Sequence, residues 1–409
     1  MSIWTRTRRN LVLATATTAI LTSSALSAGR QAPKEDALKV MQLPIRTDGP
    51  KSLDPVEGST TYDNMACAQF YETLLTSKYT NPMEMEPLLL SEMPTTSDNG
   101  TTWHFTLKAN VHFQDNECFP DGKGRVINPD DVFYSIKRLA DEKHKLENWW
   151  LLDGAILGFN DYKDEQNAAN VFDYDAPVAG FRKINDLEFE IVLEKPVYRF
   201  LYILTMFQTS VVAHEAVDFY GEDFSRNPVG TGPFILDTWV PKQSLTANKN
   251  PNYHPMFYPE RGEWSKEDKR NRLHRAGGKQ VPFVDRVEFT MFAEDQPMWL
   301  EFSKGKLGYS QVPEDYFTDA FDLVSRELKE EWLRKGTRPH SNLLLDFTFR
   351  GFNMEDELLG GYTPEKIALR RAISYAIDLE EINKTFYNGR RIVFDGPIPP
   401  GLDGHPENH

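Results

Sequence analysis

Cysteine is nearly missing from this chain of 409 residues; only Cys67 and Cys118 occur. Two isolated thiols do not make a zinc site, and spacing alone leaves open whether they join in one disulfide. Long apolar runs are missing too: past the N-terminus none approaches the roughly 20 residues of a membrane span. Basic residues are outnumbered, 46 Lys and Arg against 61 Asp and Glu, for a net charge of −15. That balance repels nucleic acid and anionic lipid and argues against both as partners. The sequence has no H-E-x-x-H, G-x-S-x-G, P-loop or G-x-G-x-x-G signature, so it marks no metal, nucleotide cofactor or nucleophile. The nine histidines are scattered, and His104, His112 and His214 read as structural residues. Carboxylates are abundant, which leaves glycoside hydrolysis open without singling out a pair.

What is present suits a folded protein of two or three domains, with 40% hydrophobic and 12% aromatic residues. Residues 1–28 have the layout of an export signal. Arg6, Arg8 and Arg9 precede an apolar stretch at 11–21, and Ala25-Leu-Ser-Ala28 offers small residues for cleavage. The arginine pair leaves the choice between the general and the twin-arginine route open, and no cysteine follows that would carry a lipid anchor.

Periodicity predicts the elements. Helical spacing of Met65, Ala68, Tyr71 and Leu75 predicts a helix over 61–77. Trp103, Phe105 and Leu107 alternate as on a half-buried strand, continued at 111–113, and residues 187–193 form another. Asn128-Pro-Asp-Asp131 opens a helix: Asn128 caps, Pro129 takes the first position and the two acids favour the dipole's positive end. Val132, Ile136 and Leu139 then face inward. Residues 235–240 and 242–249 read as paired strands closed by Asn250-Pro251, and 258–280 as a charged, exposed insertion. A strand at 281–291, a helix at 295–304 stopped by Gly305, a strand at 343–352 and capped helices from Thr363 and Asp378 follow. Trp149, Trp150, Tyr198, Phe200, Tyr202, Phe207 and Trp239 are candidates for lining a cleft, with the core as the plainer assignment.

The most shaped segment is Asn227-Pro-Val-Gly-Thr-Gly-Pro-Phe234. Its prolines fix φ, while Gly230 and Gly232 let another group approach the backbone. It reads either as an ordinary loop before a hairpin or as a crossing between domains beside a cleft.

Taken in order, several of these segments resemble the family 5 extracellular solute-binding proteins, the oligopeptide- and dipeptide-binding components of ABC importers. The resemblance rests on Ser52-Leu-Asp-Pro55, Phe70-Tyr-Glu-Thr-Leu-Leu75, Trp103-His-Phe-Thr-Leu-Lys108, Asp131-Val-Phe-Tyr-Ser-Ile-Lys-Arg138 and the 227–234 crossing. It continues through Val284-Asp-Arg-Val-Glu-Phe289, Gly351-Phe-Asn-Met354 and the 369–378 helix, and covers about residues 38–402. It implies an α/β, two-lobed periplasmic-binding-protein fold of type II with an extra subdomain in the first lobe. Residues 38–60 and 218–292 would form that lobe, 61–217 the subdomain, and 293–409 an incomplete second lobe. It also implies a monomeric periplasmic receptor, without cofactor, metal or catalysis, that passes a peptide or other small solute to an inner-membrane ABC permease. Ser59, Thr60, Thr61, Tyr62, Gly230, Thr231 and Gly232 are the expected ligand contacts, with Asn353 and Met354 across the cleft. The family's acidic partner for a peptide amino group has no counterpart here, and Gly308 stands where an acid is usual. A secreted hydrolase and a non-functional fragment are the alternatives.

Overall fold

The computed structural model describes residues 38–406 except 82, 261–263, 271, 341–346, 395 and 403. The expected export signal and residues 343–346 of the expected strand lie outside the described residues; residues 347–352 are irregular. By contact the chain divides into two compact units at Ser310/Gln311, later than the boundary at 292/293 drawn from the sequence. The shift has a cause: the helix after residue 292 buries Met298 and Trp299, and the Gly308 N–H donates to the Gln42 carbonyl of the first strand.

In chain order the first unit holds β1 (Val40–Arg46), α1 (Thr61–Cys67), β2 (Leu75–Ser77), β3 (Met85–Pro87), β4 (Thr95–Ser97), β5 (Thr102–Thr106) and α2 (Pro129–Lys137). Then come α3 (Phe159–Ala168), β6 (Phe181–Lys183), β7 (Glu188–Val192), α4 (Phe200–Ile203), α5 (His214–Tyr220), β8 (Phe234–Val240) and β9 (Ser244–Lys249). It finishes with β10 (Met256–Phe257), α6 (Lys266–Arg270), β11 (Gln280–Val281), β12 (Arg286–Phe292) and α7 (Asp295–Ser303).

Two four-stranded sheets organise it. One has the order β4-β5-β7-β6 and lies wholly within 61–217, the stretch expected to form the subdomain. Its inward side chains alternate as the sequence required. Phe105 stacks on Phe189 across the β5–β7 pair with centroids 4.9 Å apart, and Phe133 of α2 meets Phe189 edge-on at 5.5 Å. Val132, Ile136 and Leu139 are buried with it. The start of α2 is built as predicted. Asn128 caps, Pro129 holds the first turn, and the buried Asp131 closes a capping box while taking both terminal nitrogens of Arg125 at 2.7 and 2.6 Å. Residues 111–113 pair with 125–127 through a single bridge instead of extending the strand.

The other sheet has the order β1-β12-β9-β8. β1 and β12 are parallel, Val40 beside Arg286 through Arg46 beside Phe292; β9 is antiparallel to both β12 and β8. β8, β12 and β1 therefore point the same way, and their carboxyl ends share one edge. The hairpin of β8 and β9 falls where the sequence placed it.

The helix expected over 61–77 stops at Cys67. Beyond it the backbone extends and binds other segments: the Phe70 carbonyl accepts from Gly232, the Gln69 carbonyl from Phe234, and the Glu72 carbonyl from Val211. These tertiary partners outcompete a further helical turn. Cys67 and Cys118 are free thiols, the first buried.

The second unit contains α8 (Phe317–Ala320), α9 (Glu330–Arg334), α10 (Pro364–Tyr375) and α11 (Leu379–Phe386). Thr363 and Asp378 cap the last two, as read from the sequence.

Candidate functional site: a cleft at the carboxyl edge of the mixed sheet

In open α/β sheets ligands bind beyond the carboxyl ends of the strands. In this protein that edge opens into a cleft of about 620 Å³. Three stretches reach it by continuing directly from the sheet or from α1. Residues 47–51 leave β1, Trp239 near the end of β8 is followed by Pro241 and Lys242 of the β8–β9 turn, and Thr60 and Tyr62 stand at the start of α1. Ser225 and Arg226 complete the wall, just before the crossing.

The loop after β1 needs its glycine. Gly49 has φ of +80°, and a Cβ there would lie 2.8 Å from the Met291 side chain. The chain can thus turn tightly against β12 and present Asp48 and Lys51 to the cleft.

Asp63 ties two cleft stretches together. Buried in the first turn of α1, its carboxylate accepts the Lys51 N–H at 2.8 Å, the Ser59 N–H at 3.2 Å and the Thr60 N–H at 3.0 Å. The Thr60 hydroxyl donates to it at 2.7 Å and accepts the Asp63 N–H at 3.1 Å. One side chain thereby fixes the loop after β1 and the start of α1. Beneath them, the fully buried Arg138 grips Asp54 at 2.8 and 2.6 Å, and Asn148 donates to the carbonyls of Val56 and Gly58. Burial opposes the Arg138 charge, but Asp54 more than offsets it and holds the guanidinium pKa above its ordinary value. Gly58 is needed because a Cβ would lie 2.6 Å from the Phe207 ring.

Among the described residues two groupings carry metal-ligand side chains, Asp54 with Glu57 and His144, and Asp131 with His214 and Glu215. In each an arginine already supplies the positive charge. Arg138 takes both Asp54 oxygens, and Arg125 bridges Asp131 and Glu215.

The expected contacts fall in different places. Thr60 and Tyr62 line the cleft; Ser59 and Thr61 are exposed beside it. Gly230, Thr231 and Gly232 are buried and do not line it. The close approach their glycines allow is made by the protein's own backbone. A Cβ on Gly230 would lie 2.2 Å from the Phe70 carbonyl oxygen, and one on Gly232 2.5 Å from the Phe70 carbonyl carbon. Thr231 donates to Glu72 at 2.7 Å, and the same carboxylate meets Tyr253 and His254 at 3.0 and 2.9 Å. In the second unit Asn353 and Met354 are exposed and form a turn. The Asn353 side chain accepts the Glu355 N–H, and the Met354 carbonyl accepts that of Gly361. Of the candidate aromatics, Trp239 lines the cleft, Phe200 is core, and Tyr198, Tyr202 and Trp150 face solvent.

Sequence reasoning did not single out Lys51, Arg226 or Lys242. Their signal was weak: each flanks a turn, and nothing in the chain order says that three such turns meet.

A mixed sheet with an inserted α/β subdomain and a cleft at its carboxyl edge is the layout of a lobe of the two-lobed periplasmic binding proteins. The family model described as "Bacterial extracellular solute-binding proteins, family 5 Middle" matches residues 84–409, and the chain belongs to that family. Among its relatives, the glutathione-binding protein GsiB of Shigella flexneri is 25% identical over 352 residues, 86% of this chain and 54% of that protein. GsiB of Salmonella typhimurium is 26% identical over 208 residues, 51% of this chain and 34% of its own length. The chain thus spans about half, or less, of the relatives it matches. The periplasmic binding protein DppA of Helicobacter pylori, solved with the peptide STSA, superposes with a TM-score of 0.62 at 18% identity, over 90% of this chain and 62% of that one. An oligopeptide-binding protein, OppAIV of Borrelia burgdorferi, gives 0.54 at 20% identity, over 69% and 49%. At such identities these structures speak to fold: the chain is α/β and of the two-lobed periplasmic-binding-protein type.

Proposed function

We propose that this protein is an exported receptor that captures a peptide or similar small solute and hands it to an inner-membrane ABC permease, without chemical turnover. The observation that carries the reading is the cleft at the carboxyl edge of the mixed sheet, in a chain of the solute-binding family. Its walls are tied to rigid elements through Asp63 and Arg138, so the surface is organised before a ligand arrives. The relatives lend the substrate class: one is named for binding glutathione, and another was solved with a bound tetrapeptide. Thr60 and Tyr62 would contact the solute, with Ser59 and Thr61 at the rim and Asn353 and Met354 on the second unit. A ligand that touches two lobes only when they are closed shifts the equilibrium towards closure. The export signal at residues 1–28 would deliver the protein to the periplasm.

Calorimetry on the folded chain, with defined peptide pools alongside oligosaccharides, tests this. Saturable heat with peptides, and no release of cleavage products by mass spectrometry, is the expected result. No heat with any pool, or steady product release, would overturn it.

A further inference from the structure

The molecule is acidic, yet the lining of its cleft is not. Lys51, Arg226 and Lys242 face one acid there, Asp48, in a chain where acids outnumber bases by 61 to 46. Asp48 is already engaged by Lys242 at 3.0 Å. The Asp63 carboxylate is engaged by the backbone N–H groups of Lys51, Ser59 and Thr60. Asp295, the first residue of α7, is paired with Arg46 at 3.0 Å. Among the described residues no carboxylate pairs with Lys51 or Arg226. The Arg226 guanidinium instead lies over the Trp239 ring, 5.8 Å from its centroid. That contact restrains an exposed guanidinium that has no carboxylate partner among the described residues.

We propose that Arg226, seated on Trp239 and helped by Lys51, binds a carboxylate of the solute, so that the cleft selects acidic peptides over neutral ones of the same size. The inference rests on the peptide-receptor reading, because a carboxylate is the anion an unmodified peptide carries. A guanidinium meets a carboxylate through two parallel hydrogen bonds, shorter and stronger than bonds between neutral groups. The excess of positive charge inside a negatively charged molecule also focuses the field at the cleft and steers an anion to it. The Trp239 ring and the Tyr62 side chain offer apolar walls for the stem that carries the carboxylate.

The test uses the full chain and two pools of C-terminally amidated tripeptides, identical except for Glu or Gln at the central position. A third arm adds inorganic phosphate as competitor. At low salt the Glu pool should bind about tenfold more tightly, and the advantage should shrink as salt is raised. Arg226→Gln with Lys51→Gln should abolish the preference, so that the Glu and Gln pools bind equally; a melting temperature close to that of the unsubstituted chain, expected because both side chains are exposed, shows that the variant folds. Equal binding of the two pools by the unsubstituted chain, a preference that survives the double substitution, or displacement by phosphate at concentrations below the peptide's own would each overturn the proposal. Binding of the Gln pool without a Glu preference sinks this inference alone; a folded chain that binds neither pool sinks the receptor reading with it.

Discussion

Arg138 sets a residue-scale constraint: a guanidinium with 1% of its side chain exposed, paired with an Asp54 carboxylate at 4%. It also lies over the Phe224 ring at 5.2 Å. Removing one partner strands the other charge in a dry site, so Asp54→Ala should destabilise the protein by about 3–5 kcal/mol. Replacing both by apolar residues of similar volume should recover most of that loss, since the desolvation cost disappears with the charges. Urea unfolding of the single and double variants checks this through the midpoint at constant slope. Beside the pair, Glu57 titrates below its ordinary value. The nearby His144 imidazole, with Nδ1 3.6 Å from the carboxylate, is the largest cause; burial opposes it, and the Ser52 hydroxyl adds to the lowering. The depressed carboxylate contributes stability that is fully present above the unfolded-state pKa and is lost as pH falls through the folded one. Glu57→Gln should therefore lower stability slightly at neutral pH, leave it unchanged below the folded-state pKa, and so flatten the acid limb of a stability–pH curve. The effect should be small, because the side chain is 40% exposed. An unchanged acid limb would count against that role.

Among the elements, α1 shows best what the sequence could and could not tell. The cap of α2 was legible because capping is local, Asn128 and Asp131 lying three residues apart; the same spacing joins Thr60 and Asp63 at the start of α1, where Thr60 is expected only as a ligand contact. The end of α1 was not legible. Residues 69–72 keep apolar spacing that a helix would satisfy, but Phe70 and Gln69 bond to residues 232 and 234, far along the chain. The glycines of that crossing were correctly read as permitting close approach; sequence alone could not say that the approaching group is Phe70. For the same reason the cleft was only half visible. Thr60 and Tyr62 stood out, but their neighbours come from stretches near residues 48, 226 and 241 that meet only because β1 pairs with β12, Val40 beside Arg286. Two predictions belong at this scale. Gly232→Ala should cost about 1–3 kcal/mol or more by driving a methyl group into the Phe70 backbone, read as a lowered melting temperature. Asp63→Ala should leave the N–H groups of Lys51, Ser59 and Thr60 without their acceptor, at a cost of about 1–3 kcal/mol. It should also weaken peptide binding beyond what Thr60→Ala does, because only Asp63 holds both cleft stretches. Calorimetry on the two variants separates these outcomes, and equal affinities would show that the cap alone matters.

At the scale of the whole molecule, stability is unevenly distributed. The main hydrophobic cluster draws all its buried members from Met41 to Met291, spanning both sheets of the first unit and no residue of the second. In the second unit, α10 has no buried residue along its length, and the buried side chains gather around Phe317, Ala320, Leu328 and Trp332. A twelve-residue helix that is at most half-buried, along Lys366, Ile367, Arg370 and Ile373, relies on its Thr363 cap, on the bonds of Lys366 and Arg370 to carbonyls at 357–361 and on its intrinsic propensity, which is marginal in water at that length. Local opening free energies follow buried apolar contact, so amides of α10 should open far below the global unfolding free energy, while those of β12 and α2 should approach it. Hydrogen–deuterium exchange on the free chain reads this directly. Fast exchange is expected across 364–375, slow exchange across 286–292 and 129–137, and a proteolytic core close to residues 38–310 should persist when the remainder is nicked. A saturating ligand that binds the folded state would raise protection of the segments it contacts through mass action, by an amount set by its concentration relative to Kd. Protection of α10 equal to that of β12 in the free chain would show instead that the helix gains its stability from packing that its exposed surface does not account for.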